Sequence, residues 1–195
     1  MANPAPTPPA TALNQYVVVP RDSRFTVQAV ATGFLSAMGH NPTIGIRDFS
    51  GEVRFNADPV QGSGFHLTIK ASSLAVEDDI SDKDRREIER IMQQQVLESA
   101  RFPEIVYDAP VVSIEKMGDS LYSAAFDGDL RLHGVTRSER VIARIAVFGS
   151  MLRASGSFTL KQSDYEIKPV VVAGGTLKLK DELKFSFEMV AREQA

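Results

Sequence analysis

Apolar and polar residues alternate one by one along most of this chain. That spacing fits an extended strand with one buried face and does not fit a helical fold. Phe25, Val27, Ala29, Ala31 and Leu35 are apolar, while Arg24, Thr26, Gln28 and Thr32 between them are mostly polar. Phe49, Gly51, Val53 and Phe55 alternate with Ser50, Glu52 and Arg54, and Phe65, Leu67, Ile69 and Ala71 with His66, Thr68, Lys70 and Ser72. The same phase returns at Val141–Val147, Leu152–Leu160 and Leu183–Met189. Turn signals separate many of these runs: Asn56–Asp58–Pro59, Gly62–Ser63–Gly64, Gly118–Asp119, Gly149–Ser150 and Gly174–Gly175. The pattern predicts a mainly all-β fold, an antiparallel sheet closed into a barrel or folded as a sandwich.

One segment, 81–99, breaks the phase. Ser81 followed by Asp84 is a capping-box spacing, and acids in the first turn suit the helix dipole. Ile88, Ile91, Met92 and Val96 recur at helical spacing and share one face; the opposite face is charged, with Asp82 and Arg86 four apart. The segment is one amphipathic α-helix inserted among strands, and its apolar stripe is expected to lie on the barrel mouth or interior. Pro103 ends the excursion and strand resumes at Ile105–Tyr107.

Residues 1–13, rich in Pro, Ala and Thr, read as a flexible leader, and residues 14–195 as one barrel domain. The leader has neither the basic start nor the apolar run of a secretory signal, and no stretch approaches the roughly 18 apolar residues of a membrane span. The expectation is a cytoplasmic protein with no integral membrane segment, or a periplasmic one if a signal has been removed. With 195 residues the chain can bury a full core without a staple. It has no cysteine, which excludes disulfides, thiolate metal sites and a cysteine nucleophile. Its 22 basic against 25 acidic residues give a formal charge of −3, which argues against nucleic acid as a partner.

The familiar motifs of catalysis and of nucleotide binding are absent. The acidic run from Glu77 to Asp84 lacks the glycine and terminal glutamate of a calcium loop and reads as a solvated loop and helix cap. Three histidines could in principle hold a metal, but His66 lies on the outward phase of its strand, so no metal site is expected. His40 and His133 read as turn residues bonded to backbone or, more sharply, as polar groups at a cavity mouth. Asp127 and Asp129 share the outward face of a strand and are expected to be solvated. No nucleophile has an evident base, and no catalytic residue is assigned.

Most phenylalanines fall on the inward phase, which by itself means a packed core. Small inward residues (Ala29, Ala31, Gly51, Ala71, Ala143, Ala154, Gly156) alternate with the large ones. An eight-stranded barrel is just wide enough for side chains or one small ligand. Composition alone leaves filled and hollow interiors both open.

Several segments together resemble a known family: Gly39–His40 followed by Phe49–Ser50–Gly51; Glu98–Ser99–Ala100–Arg101–Phe102–Pro103; Gly128 through Thr136, containing His133–Gly134–Val135–Thr136; Ser163–Asp164–Tyr165–Glu166–Ile167; and Gly175–Thr176–Leu177 with Lys180–Asp181–Glu182–Leu183. In this order they are similar to the YceI-like, polyisoprenoid-binding proteins, over about Tyr16 to Ala191. The resemblance implies an extended eight-stranded antiparallel lipocalin-like barrel with the inserted helix. It also implies an apolar tunnel that takes up an isoprenoid chain, an isoprenoid quinone or a fatty-acid-like lipid without catalysis. It implies transport or storage of a long-chain apolar or amphiphilic molecule, no other cofactor, and a homodimer. Many relatives carry a secretory signal, and relatives often have glycine where this chain has Glu166.

The expected ligand contacts are the inward side chains Phe25, Val27, Leu35, Phe49, Phe55 and Leu67, with Phe126, Phe158, Phe185 and Phe187 further along. The helix adds Ile88 and Met92, and its exit adds Phe102. The polar candidates for a head group are His40, Asn41, Arg101 and His133. Two other readings stand beside this one: an enzyme acting on such a lipid with His40 or His133 as base, and a filled barrel serving interaction or structure.

Overall fold

The computed structural model describes residues 13–32, 41–58, 60–168, 171–172 and 177–194. The expected leader lies outside them except for Leu13, as do Leu35, His40 and the Gly174–Gly175 turn.

The alternating runs become strands of one sheet. β1 (Asn14–Val18) and β2 (Arg24–Thr32) make one stave, broken by a 3-10 turn at Pro20–Asp22. The Ser23 hydroxyl patches the break, donating to the Val19 carbonyl at 2.8 Å and accepting from the Val190 N–H at 3.0 Å. β3 (Thr43–Ile46) and β4 (Phe49–Phe55) make the second stave, and β5 (Gly64–Lys70) and β6 (Leu74–Val76) the third. Then follow β7 (Glu104–Lys116), β8 (Leu121–Leu132), β9 (Val135–Phe148), β10 (Met151–Lys161), the short β11 (Val171–Val172) and β12 (Leu177–Glu193). Each stave pairs antiparallel with the next in sequence, and β12 returns to pair with both β1 and β2. The result is an eight-stranded, closed, up-and-down barrel with a single α-helix among the described residues. Closure removes the sheet edges that an open sheet of this length would expose.

The two ends of the barrel differ. At one end the chain turns tightly: β9 and β10 are joined by Gly149–Ser150, where Gly149 at φ +55° supplies the positive φ such a short connection needs. Here the interior is filled by Tyr16, Val18 and Phe55, with Tyr122 edge-on to Phe55 at 5.6 Å. The opposite end carries the helix.

α1 (Asp82–Ile91) starts as its sequence dictates: Ser81 Oγ accepts from the Asp84 N–H at 3.1 Å and caps the first turn. It continues as a π-helical turn over Met92–Val96, where the Leu97 N–H reaches the Met92 carbonyl at 2.8 Å. The helix sits where β6 has run past the start of β7, so one edge of β6 has no strand beside it. Helix side chains take the place of that strand. Glu89 Oε1 accepts from the Val76 N–H at 2.9 Å, Arg85 donates to the carbonyls of Val76 and Asp78, and Gln93 Nε2 donates to those of Ala71 and Leu74. These bonds satisfy backbone groups that would otherwise be costly to bury.

Candidate binding cavity

With the turn end filled and the helix end wider, the inward side chains enclose a cavity of about 590 Å³. That volume is within the roughly 300–1,000 Å³ range of small-molecule sites. It runs from Ile145, Leu152 and Met189 in mid-barrel to Pro42, Ile80, Ile88 and Ile91 under the helix. Nearly every lining side chain is aliphatic or aromatic.

The void follows from where the small residues fall. Ala29, Ala143 and Ala154 line it. The small size of Gly51 and Gly156 creates no space, because neighbours occupy it. A Cβ at Gly156 would lie 2.8 Å from the Phe187 ring, and one at Gly51 would lie 3.0 Å from Val18. One wall is aromatic: Phe25 meets Phe49 edge-on at 4.7 Å and stacks with Phe187 at 6.1 Å, and Phe158 stacks on Phe185 at 5.1 Å. The helix contributes its apolar stripe as expected, with Ile88, Ile91, Met92 and Val96 all lining the cavity.

Polar groups in the wall are committed to the wall. Pairing of β9 with β10 ends at Ala143 and Gly156, and the 3-10 turn Gln162–Tyr165 wedges in beyond that point. The Tyr165 hydroxyl donates to Glu139 Oε1 at 2.8 Å, and the Tyr107 hydroxyl donates to the Glu139 carbonyl at 3.0 Å. Burial pushes both phenols well above the ordinary tyrosine value, with the Glu139 carboxylate adding to the effect. Gln162, also buried, donates to the Lys180 carbonyl at 2.9 Å.

Three of the segments that carry the family resemblance, Glu98–Pro103, Gly128–Thr136 and Ser163–Ile167, meet beside the mouth. His133 and Gly134 form the two-residue turn between β8 and β9, at φ +52° and +79°. His133 Nε2 lies 2.8 Å from Glu98 Oε2, and Nδ1 lies 3.2 Å from the Tyr165 carbonyl. The Phe102 ring packs on the imidazole at 4.5 Å and leaves no room for a Cβ at Gly134. Glu98 and Glu166 also have positive φ, 44° and 57°. Glu166 takes the left-handed conformation that favours glycine. This cluster clamps the helix exit to the barrel.

Of the expected contacts, Phe25, Val27, Leu67, Ile88, Met92, Phe126, Phe158, Phe185 and Phe187 line the cavity. Phe49 is buried behind that wall and Phe55 fills the turn end. Arg101 is exposed with its guanidinium 4.9 Å over the Phe102 ring, Asn41 is exposed, and His133 belongs to the clamp. Leu35 and His40 lie outside the described residues. Sequence reasoning left out of the contact set Leu130, Leu132, Ile145, Leu152, Ile105 and Leu97, all of which line the cavity. For Leu130 through Leu152 the inward phase itself was the signal that could have found them. His66 is exposed on Asp108 and Thr68, and Asp127 and Asp129 are exposed, as their phase requires. Among the described residues no three His, Asp or Glu side chains are grouped to hold a metal, and no helix is long and apolar enough to cross a membrane.

A closed antiparallel barrel with one apolar cavity under a helix is a lipocalin-like architecture. The sequence model of the YceI-like domain matches residues 16–191, and the chain belongs to that family. No curated protein matches the chain. Among solved structures, Burkholderia cenocepacia BcnA is similar with a TM-score of 0.65 at 19% identity, covering 89% of this chain and 98% of that one. A polyisoprenoid-binding domain from Saccharophagus degradans, implicated in plant cell wall breakdown, gives 0.67 at 13%, covering 92% and 98%. The Campylobacter jejuni YCEI protein gives 0.58 at 16%, covering 78% and 85%. At these identities the likeness is one of fold.

Proposed function

We propose that this protein binds one long-chain apolar or amphiphilic molecule, of isoprenoid, quinone or fatty-acid-like type, and carries or stores it unchanged. The observation behind this reading is the 590 Å³ apolar cavity opening under α1. A water occupies about 30 Å³ and a methylene about as much, so the space corresponds to about 20 carbon atoms. At about 0.3 kcal/mol per atom such a chain gains about 6 kcal/mol, a Kd in the tens of micromolar, and tighter where the fit is better. The family membership and the polyisoprenoid-binding description of the Saccharophagus degradans domain support the isoprenoid class. A non-catalytic role is favoured because the buried hydroxyls and His133 are committed to structural bonds. The reading includes the homodimer that the family likeness implies, which light scattering checks.

Native mass spectrometry of purified protein, followed by organic extraction, tests the proposal. A co-purified lipid of a few hundred daltons, or stoichiometric uptake of a long-chain fluorescent probe, supports it. A protein that extracts clean and takes up no long-chain probe overturns it.

A further inference from the structure

Resting on that reading, we propose that the cavity takes a chain with an uncharged, hydrogen-bond-donating end such as a hydroxyl, and rejects the same chain ending in phosphate or carboxylate. The polar residues at the mouth are Asp78, Asp84 and Glu87. Not one described lysine or arginine side chain lines the cavity. Several nearby cations are committed elsewhere. Arg85 is bonded to the carbonyls of Val76 and Asp78, Arg90 to Glu87 and Gln94, and Arg24 and Arg47 to Glu77. Arg101 lies over Phe102.

An anionic head drawn to this mouth would lose water and gain no cation, while facing carboxylates of its own sign. A carboxylic acid would enter only by taking up a proton, so its binding would strengthen as pH falls. A hydroxyl needs no such compensation, and it can donate to the Asp78 carboxylate at the rim. Asp78 already accepts from the Thr43 N–H at 2.8 Å, which holds one of its oxygens in place at the rim. Gln162 and the two tyrosines at this end are bonded to the wall, so the polar end of the ligand belongs at the acidic rim under the helix and the chain points toward Leu152.

The test is a competition titration of the full chain at pH 7.5 against a long-chain fluorescent probe, using geranylgeraniol, geranylgeranyl phosphate and geranylgeranoic acid. The alcohol is expected to bind at least about 10-fold more tightly than either anion, and the acid to gain affinity at pH 5.5. Glu87→Lys is expected to shift the preference about 10-fold toward the phosphate, read as the ratio of the phosphate and alcohol affinities. Phosphate binding as tight as the alcohol in the unaltered protein overturns this inference and leaves the binding reading standing. Failure of all three compounds and of the probe overturns both.

Discussion

The imidazole of His133, in the turn between β8 and β9, lies 2.8 Å from the carboxylate of Glu98 at the helix exit, and both residues have left-handed backbone. One side-chain bond therefore ties the helical cover of the cavity to the barrel rim. Two strained residues in contact are tolerated because Phe102, Tyr165 and each other hold them in place.

His133→Ala removes that bond and the stacking of Phe102. The expected cost is about 1.5–3 kcal/mol in urea unfolding, the range for a hydrogen bond to a charged group. Hydrogen exchange is expected to quicken first across 82–103, before the strands. Uniform quickening throughout the barrel would show that the clamp does not act locally on the helix.

Glu166 has a φ of 57° and ψ of 17°, in the left-handed region. For an ordinary L-residue this costs about 1–2 kcal/mol, and glycine would recover it at an entropic cost of about 0.5–1 kcal/mol. Glu166→Gly is expected to raise stability by about 0.5–1 kcal/mol, read from the urea midpoint. A loss of stability would mean that the Glu166 side chain contributes more than its backbone strain costs.

Alkaline pH is expected to destabilise the fold through Tyr107 and Tyr165. Burial holds both phenols above their ordinary value. In the unfolded chain they ionise near pH ~10. Above that pH the unfolded state holds fewer protons than the folded state, so stability falls as pH rises toward the folded values. Their contribution is complete below pH ~10, and each group adds a slope of at most about 1.4 kcal/mol per pH unit above it. Urea midpoints between pH 9 and about 11.5 measure this. Tyr107→Phe and Tyr165→Phe should each flatten the decline, and an undiminished slope in both would assign it to another group.

Ala154 faces the void from β10. Ala154→Phe is expected to fill part of the 590 Å³, raise the melting temperature of the ligand-free protein, and weaken long-chain probe binding by at least about 10-fold. Unchanged probe affinity would place the bound chain elsewhere.

Alternation alone shows which face of each strand looks inward, and it assigns Val27, Leu67, Phe126 and Phe187 to the wall where they lie. Helical spacing does the same for Ile88 and Met92. Neither pattern tells whether an inward small residue leaves a void. Ala154 does and Gly156 does not, because Phe187 reaches over from the neighbouring strand. Helical spacing does not show that Arg85, Glu89 and Gln93 bond the edge of β6. His133 reads either as a turn residue bonded to backbone or as a mouth residue; it sits in a turn bonded to the Tyr165 carbonyl, and only the fold shows its second partner, Glu98, which is distant in sequence.

What the sequence by itself determined is local and periodic: strands with one apolar face and a capped amphipathic helix. A period of two or of 3.6 residues acts within a single element, so one chain read alone carries it in full. The tertiary structure decided the contacts between distant segments. These are the closure of β12 onto β1, the wedge of Tyr165 where β9 and β10 part, and the balance of large against small side chains across the lumen. Each depends on side chains brought together from different strands, and packing volume is a property of the set rather than of any one residue.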